Sequence, residues 1–248
     1  MIILSILFFI TAILYSSVGF GGGSTYLALL LIWHVPYYIF PLIALICNII
    51  VVSGNSFNYI RAKNHNFRLL IPFLIGSIPM AFLGGTLIIQ KEIFEILLFI
   101  VLSLAGILLL INNRSYDDKN IEIKKLHFFV SIIIGSILGF VSGLIGIGGG
   151  IFLSPILFLF KADKPKVIST TASLFILINS ISGMIGQLTK TNILVEVIQY
   201  SPLFISVFIG GLIGNYLNLK VFSGRILAII TSILVIFVAS RIGFKIFI

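Results

Sequence analysis

Charge is what this 248-residue chain has least of: Asp, Glu, Lys and Arg together make up 9% of it, against about a quarter of a soluble domain. The first charged side chain is Arg61, so sixty residues pass without one. With 59% hydrophobic residues and a mean hydropathy of +1.24, the chain lacks the polar groups to cover a surface in water. Nearly every water-soluble class is excluded, and the chain reads as an all-α polytopic membrane protein. Cysteine is almost absent as well. Cys47 stands alone in an apolar run, which excludes a disulfide framework and reads as a small packing residue.

Chemistry-bearing residues are equally sparse within the apolar runs. His34, His65 and His127 flank them, and no Cys/His spacing suits a metal. There is no Gly-x-Ser-x-Gly elbow, and the peripheral histidines argue against a buried Ser–His pair. No catalytic residue, metal or cofactor is therefore expected, and the chain is not read as an enzyme. Asp117, Asp118, Glu122 and Asp163 fall in loops; Glu92, Glu95 and Glu196 fall at the ends of apolar runs; no Lys or Arg lies mid-run. An acidic proton relay or a cation cage at the membrane midplane is excluded on these grounds. The donors that remain are N–H groups, hydroxyls and amides, a set suited to a small anion.

What charge there is leans one way: 16 Lys and Arg against 7 Asp and Glu, a net +9. The basic residues sit in short loops, the pattern of cytoplasmic loops facing anionic lipid rather than of nucleic-acid binding. The longest polar stretch, Asn112–Lys125, is too short for a nucleic-acid-binding domain. Met1–Ser16 has no basic residue before it and no Ala-x-Ala site after it, so it reads as a retained membrane segment.

Apolar runs fall at roughly 2–32, 37–60, 69–90, 93–111, 127–160, 166–189, 194–219 and 226–248. They form two sets of four: a first membrane repeat over 1–112, a polar linker over 113–125 and a second repeat over 126–248. Gly19-Phe20-Gly21-Gly22-Gly23 matches Gly146-Ile147-Gly148-Gly149-Gly150 at an offset of 127, Leu45–Asn48 lies opposite Ile176–Asn179 at 131, and Gly84 lies opposite Gly214 at 130. The kept order predicts an internal duplication.

The first run of each set is too long for one crossing. As single helices, 2–32 and 127–160 would measure roughly 46 and 50 Å, against a hydrocarbon core of about 30 Å. Each carries a triple glycine near its middle, so each is predicted to be two half-helices joined by glycine backbone. Loop charge supports this. If all eight runs cross once, the 16 Lys and Arg divide 10 to 6 between the two sides. If the first run of each set is a hairpin that returns to the side it entered from, only Lys91, Lys190, Arg241 and Lys245 stay outside, a division of 12 to 4. The hairpin arrangement obeys the positive-inside rule better. It also leaves three crossings per half, so that the two halves are inverted relative to each other.

The candidate site follows from these breaks. A half-helix that starts mid-membrane turns unpaired N–H groups and its positive dipole end inward, which makes an anion site without a formal charge. Gly21, Gly22, Gly23, Gly148, Gly149 and Gly150 are the expected backbone donors; Ser24, Thr25, Asn48 and Asn179 are the expected side chains. Asn55, Ser53, Thr170, Thr171, Ser173, Ser182 and Gln187 are weaker candidates of the same kind. The competing reading of the glycines is close helix packing. A phosphate loop is rejected, because Gly-Lys-Ser/Thr and a preceding soluble strand are both missing.

With these residues in view, the chain resembles the sulfite exporter TauE/SafE family of membrane permeases. The likeness is carried by Gly19–Gly23 with Tyr26–Ile32, by Gly146–Gly150 with Ile151–Pro155, and by Gly84-Gly85 and Gly210-Gly211, and it spans nearly the whole chain. It implies a multi-pass transporter of the bacterial inner (plasma) membrane that moves small sulfur-containing anions such as sulfite or sulfonates, commonly outward, with the glycine breaks lining the central site. Ile151 and Phe152 stand where the first motif has Ser24 and Thr25, so the two halves offer different donors. The mechanism expected is alternating access as the halves rock. The alternatives are an anion channel on the same scaffold, or a non-transporting membrane subunit whose glycines pack helices. The expected partners are a small anionic substrate and the bilayer, with a homo-oligomer left open and no nucleic acid.

Overall fold

The computed structural model describes residues 1–17, 19–111, 123–124, 126–190, 193–218 and nine positions between 229 and 244. Most of the expected linker, all but residues 123 and 124, and much of the last apolar run lie outside the described residues. Among those described, the chain is helical and contains no strand. The helices are α1 (Ile2–Ser16), α2 (Gly23–Ile32), α3 (Phe40–Arg61), α4 (Phe67–Thr86), α5 (Lys91–Ile111), α6 (Phe128–Ile145), α7 (Gly150–Leu159), α8 (Pro165–Leu188), α9 (Ile193–Ile198) and α10 (Ser201–Asn218), with a 3₁₀ turn at Tyr37–Ile39. Tyr37–Arg61, Phe67–Thr86, Phe128–Ile145 and Lys166–Leu188 are each long and apolar enough to cross a bilayer.

Both overlong runs are broken, as their glycines predict. The run 2–32 becomes α1 and α2, and the run 127–160 becomes α6 and α7. The run 194–219 is also divided, which its hydropathy conceals: α9 ends at Ile198, and α10 begins at Ser201 with Pro202 in its first turn, where a missing N–H costs nothing. Pro41 and Pro165 take the same place in α3 and α8.

Burial runs opposite to that of a globule in water. Asn48, Asn55, Ser77, Thr170, Asn179 and Gln187 are fully enclosed, while Ile71, Ile75, Ile133, Ile137, Ile205 and Phe208 are exposed. Apolar side chains turned outward around a polar-studded interior are what lipid as solvent selects.

Small residues let the helices pack backbone to backbone. A methyl group added to Gly135, Gly139 or Gly143 of α6 would strike the carbonyl of Phe73, Ser77 or Ala81 of α4 in turn. Both registers advance together, so α4 and α6 run parallel. Gly210 and Gly214 of α10 stand in the same way against the carbonyls of Phe9 and Ile13 of α1, so α1 and α10 are parallel too. The packing is reciprocal. The N-terminal α1 lies on α10, α6 lies on α4, and α3 lies on α8.

Loop contacts sort the chain ends. Asn66 Nδ2 donates to Asp163 Oδ2 (2.8 Å), and Lys124 N donates to the Lys161 carbonyl (3.0 Å). These join the loops after α3, before α6 and after α7 at one end of the bundle. At the other end Tyr38 hydrogen-bonds to Glu196, which joins the turn before α3 to the segment after α8. A chain in which every run crosses once puts each side-chain pair, Asn66–Asp163 and Tyr38–Glu196, on opposite faces. The hairpin arrangement puts each pair on one face. Of the described basic residues, Arg61, Lys63, Arg68, Lys124, Lys161, Lys164 and Lys166 gather at the first end, and Lys91 and Lys190 stand at the second. That asymmetry is the one the positive-inside rule associates with a cytoplasmic face.

Candidate functional site

The two breaks meet at Asn48. Helix α2 starts from Gly22 (φ +86°) and α7 from Gly149 (φ +76°), both in the left-handed region, and neither helix has a side-chain cap. An L side chain at either position costs about 1–2 kcal/mol, so glycine is demanded by backbone geometry as well as by space. The N–H groups of Gly21–Ser24 and of Gly148–Ile151 find no acceptor among the described residues. Two uncapped helix starts thus face the interior, each with the partial positive charge of its dipole.

Asn48, on α3, ties the breaks together. Its Nδ2 donates to the carbonyl of Ile147 (3.1 Å) and reaches that of Gly146 (3.5 Å). Its Oδ1 is buried without a partner and lies against Gly21. A methyl on Gly23 would stand 2.7 Å from Asn48 Nδ2 and 2.7 Å from the Ile147 carbonyl, and one on Gly148 would stand 2.8 Å from the same amide. Gly21, Gly23, Ile147 and Gly148 are therefore packed closely around the Asn48 side chain, and a single carbon added at Gly21, Gly23 or Gly148 would meet it.

The facing position on α8 belongs to Ile176. Its side chain crowds Gly150, lies 2.9 Å from a methyl built on Gly148 and 3.2 Å from one built on Gly21. Asn179, which the offset of 131 set opposite Asn48, lies elsewhere in the contact pattern. Its Nδ2 donates back to the Phe175 carbonyl of its own helix (2.9 Å), and its Oδ1 is buried without a partner. At the breaks α8 thus presents the branched alkyl group of Ile176 and not the Asn179 amide.

Ser24 and Thr25 are buried at the start of α2, but both hydroxyls face Tyr15 of α1. The Tyr15 hydroxyl is 2.7 Å from Thr25 Oγ1 and 3.4 Å from Ser24 Oγ. Sequence reasoning missed Tyr15, the Ile147 carbonyl, Ile176 and Ser180, whose Oγ would lie 3.1 Å from a methyl on Gly148. Nothing in the chain's order signals them, because they come from α1, from α8 and from the break between α6 and α7. Among the weaker candidates, Thr170 and Thr171 bond to carbonyls of their own helix. Ser182 donates to the Ile78 carbonyl of α4 (2.7 Å). Both amide atoms of Asn55 are buried without partners.

Comparison with known proteins decides what carries this site. The family model described as sulfite exporter TauE/SafE matches residues 4–242. The chain belongs to that family. Similar to this TauE/SafE chain is a probable membrane transporter protein, y4hK, of Sinorhizobium fredii, 29% identical, with the match covering 93% of both chains. A second probable membrane transporter protein, of Methanocaldococcus jannaschii, is 32% identical over 77% of this chain and 73% of its own. A third, YunE of Bacillus subtilis, is 25% identical over 95% and 94%. No solved structure matches the chain. This TauE/SafE chain is thus a multi-pass membrane transporter, consistent with its outward apolar side chains and its bilayer-length helices.

Proposed function

We propose that the chain is a carrier of small anions, with sulfite or organosulfur anions such as sulfonates as its substrates, and that it works by alternating access between two inverted halves. The observation that supports this most directly is the convergence of two uncapped, glycine-started half-helices on Asn48, in a region with no formal charge among the described residues. Backbone N–H groups and helix dipoles attract an anion there, and the absence of a fixed cation lets it leave again. Close packing of Gly21, Gly23 and Gly148 against Asn48 favours a carrier over an open channel: an anion reaches the donors when the halves part. The parallel pairs α1–α10 and α4–α6 are the surfaces on which each half-helix hairpin is carried.

Uptake into proteoliposomes of sulfite, sulfate, thiosulfate and small sulfonates, with and without proton or sodium gradients, tests the reading. Flux of at least one of these is expected in the wild type. Gly22→Leu and Gly149→Leu are expected to abolish it while the protein still reaches the membrane. Normal flux in both variants would remove the site assignment.

A further inference from the structure

A cavity of about 480 Å³ opens at the end of the bundle opposite the basic loops. Its walls come from separate elements: Tyr37 and Tyr38 in the turn before α3, Thr86 behind α4, Lys190 behind α8 and Glu196 on α9. Pro41 and Leu144 also line it. Leu144 lies two residues before Gly146, and a methyl on Gly146 would stand 2.5 Å from Pro41 Cα and 2.8 Å from the Pro41 carbonyl. Residues of the cavity lining thus adjoin the α6–α7 break.

Two charged side chains line this space, and they are not paired with each other. Glu196 is engaged by the Tyr38 hydroxyl. Lys190 Nζ donates to Gln187 Oε1 (2.7 Å), and Gln187 Nε2 donates to the Gly143 carbonyl in the last turn of α6 (2.8 Å). The Lys190 side chain is half-buried, with no carboxylate in ion-pair distance among the described residues. One of its three N–H donors is used, and the others are available to a ligand. A cation partly stripped of water and lacking a counter-ion, at the mouth of a cavity of ligand size, fits an anion.

We propose that this cavity is the outer vestibule of the transport path, and that Lys190 holds the anion there on its way to or from the glycine breaks. This rests on the anion-carrier reading and adds a second, charged station to it. The division of labour is chemical. The outer station uses a full charge to gather anions from dilute solution, and the inner one uses neutral donors so that the anion does not stall mid-membrane. The Lys190–Gln187–Gly143 chain links the outer station to the helix that ends at the break. Burial brings the Lys190 ammonium down to about 8 from an ordinary 10.5, so capture is strong below that pH and fades as pH rises through it. Glu196 across the cavity is the other charged group facing it; the residues lining from the α4 end and from the turn before α3 bring none.

The test has a local readout and a transport readout. In a Cys47→Ala background, Thr86→Cys places one thiol in the cavity. From outside, a sulfonate-bearing methanethiosulfonate is expected to label it faster than a trimethylammonium-bearing one at pH 7. Adding Lys190→Gln is expected to lower that rate ratio on the order of tenfold, Lys190→Arg to preserve it, and raising the pH to 9 to lower it with lysine but not with arginine. In liposomes that take up sulfite, Lys190→Gln is expected to raise KM about tenfold with little change in maximal rate. An unchanged labelling ratio, a thiol unreactive from outside, or an unchanged KM would overturn the proposal. If the wild type carries none of the tested anions, the carrier reading falls, and the labelling ratio still decides whether Lys190 gathers anions.

Discussion

Asn48 of α3 and Ile176 of α8 both face the glycine breaks: Asn48 lies against Gly21, Gly23 and Gly148, and Ile176 lies against Gly21, Gly148 and Gly150. Helix α3 presents an amide to the breaks where α8 presents an alkyl group. The site at the crossing is therefore one-sided, and its only side-chain link across the breaks is the Asn48 bond to the Ile147 carbonyl among the described residues.

Removing that link is expected to affect function more than folding. Asn48→Ala leaves the Ile147 carbonyl without its donor, a loss of about 1–3 kcal/mol, visible as a lower thermal midpoint in detergent. Anion uptake is expected to fall at least tenfold. Asn48→Asp, which sets an acceptor against a carbonyl and repels anions, is expected to lose uptake entirely at neutral pH. Wild-type uptake in Asn48→Ala would show that the amide only fills space.

Tyr15 supplies a second prediction. Tyr15→Phe frees the hydroxyls of Ser24 and Thr25 from their shared partner. The cost to stability is expected to be about 0.5–1.5 kcal/mol, measured by thermal unfolding. KM for the transported anion is expected to shift, because the two hydroxyls gain freedom to turn toward the start of α2. Stability loss with an unchanged KM would make the Tyr15–Thr25 contact a purely structural tie between α1 and α2.

Glycines that pack are expected to fail differently from glycines that start half-helices. Gly143 lies against the Ala81 carbonyl in a backbone-to-backbone contact, so Gly143→Leu must push α4 and α6 apart. It is expected to abolish monodisperse, membrane-inserted protein. Gly22→Leu is expected to leave insertion intact and remove flux. Size-exclusion profiles of the two variants, run side by side, distinguish these outcomes.

The arrangement of chain ends is open to direct labelling. In a Cys47→Ala background, Lys63→Cys and Lys164→Cys are expected to react with an impermeant thiol reagent only from the cytoplasmic side. Lys91→Cys and an N-terminal tag are expected to be reached only from outside. Reaction of Lys63→Cys and Lys164→Cys from opposite sides would restore a single crossing for the run 127–160.

Much of this protein was legible in its order of residues because lipid leaves few choices. A chain with no charge before Arg61 must bury its backbone polarity in helices, and a run of more than thirty apolar residues with a triple glycine at its centre is too long to cross unbroken. The distribution of Lys and Arg was enough to prefer hairpins over single crossings, a preference the Asn66–Asp163 and Tyr38–Glu196 contacts match. Other features were hidden. The turn between α9 and α10 falls inside one hydrophobic run. The matching of Asn48 with Asn179 rested on residue type at an offset of 131, whereas packing depends on which face of α8 meets the breaks. A shift of three positions turns a side chain by about 60° around the helix and moves it about 4.5 Å along the axis, enough to take Asn179 past the breaks and leave Ile176 against them.

Composition and periodicity by themselves determined the solvent, the helical class and the places where the first run of each half must break, since these depend on the local energetic cost of polar backbone in hydrocarbon. Only the tertiary structure decided that both breaks meet at Asn48, that Ile176 faces the second of them, that Tyr15 holds Ser24 and Thr25, and that Lys190 shares a cavity with Leu144 and Pro41. Those relationships join residues up to 149 positions apart. They follow from how helices lie against one another, which no local rule of sequence specifies.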